Sequence, residues 1–237
     1  TLQVPDEGQL FFNEIDVLKN PMELRKQLGY LPQEFGVYPK DSAHKLLHYL
    51  ATLKGIVSKK DRNAIVEEVL DLTNLWEVRG KSVSSYSGGM KQRFGIAQIL
   101  LNDPKLVIVD EPTAGLDPAE RSRFLNVLRN IGSSRIVIFS THLVEDVKDL
   151  CHELAILNKG QVLAQLSPKK ALSALKEKIW ETEMDLSSQK NQFKVLSSHY
   201  NEENKKVYRV FAETMPSPVF RSVQPKLEDY YFYTINS

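Results

Sequence analysis

Apolar residues follow two rhythms along this chain. Over residues 41–53 they fall at Leu46, Leu47, Tyr49, Leu50 and Leu53, the three-to-four spacing of a helix face, with Asp41 or Ser42 placed to cap it and Gly55 to close it. A second helix begins at Ser58, with Asp61 three residues on, and runs through Ile65, Val66, Val69, Leu70 and Leu72. Residues 40–86 therefore read as mainly helical. Beyond them the pattern alternates: strand Leu106–Val109, helix 118–131, strand Ile136–Phe139, helix Val144–Leu150, strand 154–157. Such alternation predicts a parallel sheet with crossover helices. Leu106–Val109 and Ile136–Phe139 are apolar at every position, which predicts two central strands covered on both faces. Asn158-Lys159-Gly160 turns the chain into an antiparallel edge at 161–164, and residues 9–12 and 29–32 read as short edge strands upstream. After Ser167-Pro168 come a short helix at 170–177, possible strands at 179–186 and 207–212, and a last helix beginning at Pro225-Lys226-Leu227-Glu228-Asp229. This tail of about 70 residues predicts a small α+β appendage, and its cluster Tyr230-Tyr231-Phe232-Tyr233 is expected to pack rather than face solvent.

Composition narrows the picture modestly. Lys and Arg number 31 against 30 Asp and Glu in 237 residues, so the charge balance provides no broad attraction for nucleic acid or anionic lipid. The single cysteine, Cys151, cannot form an internal disulfide and is expected to pack at a helix end, which fits a reducing compartment. The longest apolar runs are strand-sized, far short of the roughly 20 residues of a membrane helix, and Thr1-Leu2-Gln3-Val4-Pro5 lacks the pattern of a signal peptide. A soluble chain is expected.

Two segments carry chemistry. Tyr86-Ser87-Gly88-Gly89-Met90-Lys91-Gln92 stands before a helix bearing Phe94, Ala97, Leu100 and Leu101. A Ser-Gly-Gly turn there can aim backbone N–H groups and a hydroxyl at a phosphate, or simply cap the helix; the residues alone leave both open. The second is the apolar strand that ends in Asp110-Glu111-Pro112-Thr113. Open α/β sheets place ligands at the C-terminal ends of their strands, where one carboxylate can hold Mg²⁺ and its neighbour can handle an attacking water.

Taken in order, Ser87-Gly88-Gly89, Leu106-Val107-Ile108-Val109-Asp110-Glu111-Pro112-Thr113, Ala114-Gly115-Leu116-Asp117-Pro118 and Ser140-Thr141-His142 resemble the signature loop, Walker B strand, D-loop and switch histidine of ABC-transporter ATPases. Gly29-Tyr30-Leu31-Pro32-Gln33 resembles that family's Q-loop, and Met90 stands where the family more often has glutamine. The resemblance spans residues 1–168 and implies a P-loop NTPase-like α/β sheet with a helical subdomain inserted at about 40–100, leaving 169–237 as an accessory or regulatory region. It further implies that Asp110 holds Mg²⁺ through water, that Glu111 is the general base, that Gln33 meets the metal or the attacking water, and that His142 donates to the γ-phosphate of ATP. Ser87, Gly88 and Gly89 would contact ATP bound by a second subunit, a homodimer being expected, and Asp117 would lie at that interface. The implied protein is an ATP-hydrolysing, energy-coupling subunit, cytoplasmic and peripheral on the inner face of the membrane, partnered by a separate transmembrane permease of exporter type. Two other readings stand beside it: a non-catalytic module of the same fold, and a soluble ATPase acting without a permease. A nucleic-acid partner is not expected.

One element of the family pattern is missing from these residues. None of the eleven glycines begins Gly-x-x-x-x-Gly-Lys-[Ser/Thr], the phosphate-binding loop. The expectation is an N-terminally incomplete cassette, inactive as the 237-residue polypeptide.

Overall fold

The computed structural model describes residues 3–36, 40–186 and 193–236. They form two compact units, Thr1–His142 and Leu143–Ser237.

The first unit opens with a two-residue hairpin, β1 (Phe11–Phe12) against β2 (Ile15–Asp16), followed by the short helix α1 (Pro21–Arg25). The strand β3 (Leu28–Leu31) pairs in parallel with β4 (Leu106–Val109), and β4 with β5 (Ile136–Phe139), so β4 is central. Between β3 and β4 lie three helices: α2 (Ala43–Leu53), α3 (Lys59–Leu72) and α4 (Gly88–Leu100). Ser42 and Ser58 cap α2 and α3, their hydroxyls accepting from the N–H groups of Lys45 and Asp61. This is the capping chemistry their sequences announce. Helix α5 (Pro118–Gly132) connects β4 to β5.

One face of the sheet is the better covered, completely at β4 and partly at Val137 and Phe139 of β5. Gly29 meets Ile99, and a side chain at Gly95 would come within 2.7 Å of Leu31 and Phe35. Glycine is therefore what lets α4 lie close on β3. Val107 and Val109 are wholly buried on this face. On the other face Val17, Leu24 and Leu106 form a small cluster with Leu28 and Ile108, but Ile136 and Ile138 are each 53% exposed. The expectation of two central strands is thus corrected for β5, since among the described residues only β4 pairs with it. Its uniform apolarity signalled burial that this chain supplies on one face only.

The second unit contains α6 (Val144–Leu150) and the antiparallel hairpin β6 (Leu154–Asn158) and β7 (Gln161–Leu166). After α7 (Pro168–Ala174) come β8 (Ile179–Thr182), β9 (Lys194–Tyr200), β10 (Lys206–Phe211) and β11 (Arg221–Ser222), then α8 (Leu227–Ile235). The four strands make an antiparallel sheet in the order β11-β8-β10-β9. Period-two alternation sends Trp180 and Val210 into one cluster with Phe220, and Ile179 into another with Leu175 and Leu196. Tyr230, Phe232 and Tyr233 pack on the second cluster, as the aromatic run predicted, whereas Tyr231 is exposed. Helix α8 contacts both the hairpin and β9, and Ser167-Pro168 lies within this compact unit. Cys151 is half-buried, and burial, followed by the charge of Asp146, pushes its thiol pKa up to about 11. It is an unreactive packing thiol at neutral pH.

In β10 Lys206 is exposed, whereas the second charged residue, Arg209, is buried. It donates from Nε and Nη2 to Asp229 at 2.8 and 2.6 Å, and from Nη1 to Glu181 at 2.5 Å. Glu181 also accepts from Arg221 at 2.8 Å. The cluster joins β8, β10, β11 and α8.

Candidate functional site

Parallel pairing brings the exits of β3, β4 and β5 side by side. Two further backbone bonds continue the ladder past the strands, Asp110 N–H to the Leu31 carbonyl at 2.9 Å and Ser140 N–H to the Val109 carbonyl at 3.0 Å. Gln33, Asp110-Glu111 and Ser140-Thr141-His142 consequently leave the sheet together, at the end where open α/β folds bind ligands.

Glu111 is the hub. Gln33 Nε2 donates to its Oε2 at 3.2 Å, and His142 Nδ1 lies 3.3 Å from the same oxygen. Its backbone N–H donates to the Ser140 hydroxyl at 2.9 Å, and that hydroxyl donates to Asp110 Oδ1 at 2.5 Å. Glu111 has φ of 41°, a left-handed conformation that is costly for a non-glycine residue and unusual before a proline, at about 1–3 kcal/mol. The neighbours on β3 and β5 hold it there. The arrangement presents a carboxylate, half exposed, between an amide and an imidazole, beside a second carboxylate whose other oxygen is free of the Ser140 bond.

The remaining predicted residues sit elsewhere in the same unit. Ser87 caps α4, its hydroxyl accepting from Met90 N–H at 3.2 Å, and it and Gly88 are exposed while Gly89 is buried. Asp117 caps α5 through Glu120 N–H at 2.9 Å, with Pro118 in the first helical position. Both capping roles are present in the molecule. Neither residue contacts the Glu111 cluster through a described hydrogen bond.

The ABC transporter family model matches residues 1–114. Among curated proteins, an uncharacterized ABC transporter ATP-binding protein of Bacillus subtilis, YxlF, is 38% identical over 138 residues, which cover 58% of this chain and 46% of that protein. The linearmycin resistance ATP-binding protein LnrL of the same organism is 30% identical over 160 residues, 67% of this chain and 51% of LnrL. Among solved structures, cbiO1 from Clostridium perfringens, part of the ABC transporter complex cbiONQ, aligns with a TM-score of 0.67 at 25% identity, over 73% of this chain and 70% of that one.

The chain belongs to the ABC-transporter ATP-binding family.

Its fold is the P-loop NTPase-like α/β fold of that family. The chain spans about half the length of these two curated relatives. No helix among the described residues is long and apolar enough to cross a membrane.

Within this ABC fold two residues join α4 to α5, and neither was singled out by the sequence. Arg93, on α4, donates to the carbonyls of Thr73 and Asn74 at 3.3 and 2.9 Å and to Glu120 Oε2 at 3.2 Å. Both side chains of the Arg93–Glu120 pair are largely buried. Arg93 thus ties the end of α3, α4 and α5 together. Glu120 also fills the space over Gly89, where an added side-chain carbon would lie 2.7 Å from the Glu120 Cβ. At Gly88 the nearest atom would be Leu116 Cδ2 at 3.7 Å, an ordinary contact. Gly89→Ala is therefore expected to displace Glu120 and cost about 1–3 kcal/mol, while Gly88→Ala stays within about 0.5 kcal/mol of the parent. Chemical denaturation of both variants checks this; equal midpoints would remove Glu120 as the reason for glycine at 89. Arg93 follows Lys91 and Gln92 at the polar start of α4, so no local signal set it apart, and only folding shows its partner.

Proposed function

We propose that this chain engages Mg-ATP in an energy-coupling ATPase that drives a membrane permease from its cytoplasmic side, with residues 1–168 as the cassette. The convergence of Gln33, Asp110, Glu111, Ser140 and His142 at three strand exits carries the reading. The donor set suits a hard cation: Asp110 offers a carboxylate oxygen, and Gln33, whose amide nitrogen is spent on Glu111, offers its amide oxygen. Among the described residues no three His, Cys, Asp or Glu side chains cluster as a self-sufficient metal site. That fits Mg²⁺, which keeps several waters and shares its shell with substrate phosphates. When bound, the ion neutralises charge on the transferring phosphoryl group.

Glu111 is the general base in this proposal. Its carboxylate accepts from Gln33 and faces His142, so its orientation is set before substrate arrives, and a positioned base of this kind is worth about 10²–10⁴ in rate. His142 is placed to move from Glu111 to a terminal phosphate oxygen as donor. Ser87, Gly88 and Gly89 supply the helix N-terminus that meets the nucleotide of a second, identical subunit, with Asp117 at the same interface. Catalysis then depends on closing two subunits, which couples hydrolysis to motion in the permease. LnrL's name, a resistance ATP-binding protein, supports export as the direction.

The 237 residues contain no Gly-x-x-x-x-Gly-Lys-[Ser/Thr] loop, so the polypeptide by itself is expected to show no Mg²⁺-dependent ATP hydrolysis. Joined behind a strand, loop and helix that carry this motif, it is expected to gain turnover that depends on Glu111. A chimera that binds ATP and dimerises but never hydrolyses it would instead support the non-catalytic module.

A further inference from the structure

Away from the strand exits, α2 presents His44 and His48 one turn apart on its outer flank, so both rings leave the helix on the same face. Their Nε2 atoms are 3.2 Å apart, and the ring planes meet at 62° with centroids at 4.5 Å. The rings line a cleft of about 460 Å³ whose far wall includes Lys59, Arg62, Asn63 and Glu67 of α3.

Two imidazole nitrogens facing one another this closely can share a proton, or aim both lone pairs at one cation. The second option has a metric test. In a tetrahedral site with metal–nitrogen bonds of about 2.0–2.1 Å, two ligating nitrogens stand about 3.3 Å apart. The observed 3.2 Å spacing already matches that edge. We propose that His44 and His48 form a two-imidazole chelate for a divalent transition-metal ion such as Zn²⁺, Ni²⁺ or Cu²⁺, with water completing the coordination shell.

The donor chemistry selects the ion. Imidazole suits the later first-row metals, whereas Mg²⁺ and Ca²⁺ take oxygen ligands, so this site and the Asp110 site sort different cations. Ligation requires neutral rings. Burial of His48, followed by the charges of His44 and Arg62, holds its pKa below the ordinary imidazole value. That direction favours the neutral ring that ligation needs. Arg62 opposes a cation but is turned to the carbonyls of Ile56 and Val57, at 3.1 and 2.5 Å; Lys59 adds a second opposing charge and Glu67 an attractive one. A bound ion would clamp successive turns of α2, a helix that packs on both α3 and α4.

The test uses the untagged 237-residue chain in metal-stripped buffer. Calorimetric titration with Ni²⁺ and with Zn²⁺ is expected to show one equivalent bound. His44→Asn and His48→Asn should each weaken binding more than about tenfold, while His152→Asn and His199→Asn leave it unchanged. Paramagnetic broadening by Ni²⁺ should remove two imidazole proton resonances, those lost in the His44 and His48 variants. No binding at millimolar metal, or binding that survives both substitutions, overturns the proposal. So does a cleft that takes inorganic phosphate through Lys59 and Arg62 while refusing both metals.

Discussion

Glu111→Gln is expected to lower ATP turnover about 10²–10⁴-fold in any assembly of this chain that hydrolyses ATP, with little change in nucleotide affinity. The substitution keeps the shape of the side chain and replaces a carboxylate by an amide that cannot take a proton from water. Gln33 and His142, now 3.2 and 3.3 Å from one Glu111 oxygen, retain a neighbour of the same size, so the site should remain assembled. Single-turnover hydrolysis measured alongside binding of a fluorescent ATP analogue separates the two quantities. Equal losses in affinity and turnover would mean that Glu111 organises the site without acting as base. Ser140→Ala provides the companion measurement: it removes one hydroxyl from both Asp110 and the Glu111 backbone, and should act on Mg²⁺ dependence more than on the chemical step.

Arg209→Ala is expected to destabilise the second unit by about 3–5 kcal/mol, which for a unit of this size lowers its melting midpoint by more than about 10 °C. The substitution strands two carboxylates, Glu181 and Asp229, whose side chains are only 8% and 2% exposed. Replacing all three members together by Met and Leu should cost much less, because no buried charge is then left unpaired. What remains is mainly the loss of the α8 cap, where Asp229 accepts from Lys226 N–H at 2.7 Å, at about 1 kcal/mol. A triple variant less stable than Arg209→Ala would show the ion pairs to be net stabilising. The same cluster sets a pH dependence. Burial raises the Glu181 pKa, but hydrogen bonds from Arg221 and Arg209 outweigh it, leaving the value below its ordinary 4.5. A carboxyl depressed on folding contributes stability that is complete above its unfolded value and is lost as pH falls through the folded one. The unit should therefore loosen on acidification below about pH 4.5, and Glu181→Gln should flatten that slope. Circular dichroism melts from pH 7 to pH 3 would read it.

The helices and strands of the first unit were legible because their signals are local. Ser42 and Ser58 cap where a serine before an apolar-periodic run should, and Leu106–Val109 reads as a covered strand from its composition alone. Motif order along the chain was likewise enough to set Gln33, Asp110, Glu111 and His142 apart. Other features were not legible for want of such a signal. Strand β9, Lys194–Tyr200, follows residues of mixed polarity and forms through its pairing with β10. The second unit's extent depends on α8 returning to the hairpin, a contact between residues far apart in sequence.

By itself, then, the sequence determined the element types, the family and the chemical identity of the candidate base, because periodicity, capping and motif spacing are properties of neighbouring residues. Only the tertiary structure decided that Ser140 bridges Asp110 and Glu111, that Glu111 adopts a left-handed backbone, that Glu120 requires glycine at 89, and that Arg209 is buried with two acids. Each of these depends on strands or helices distant in sequence arriving within a hydrogen bond of one another. The strength of such a bond is set by burial and geometry, which no local pattern records.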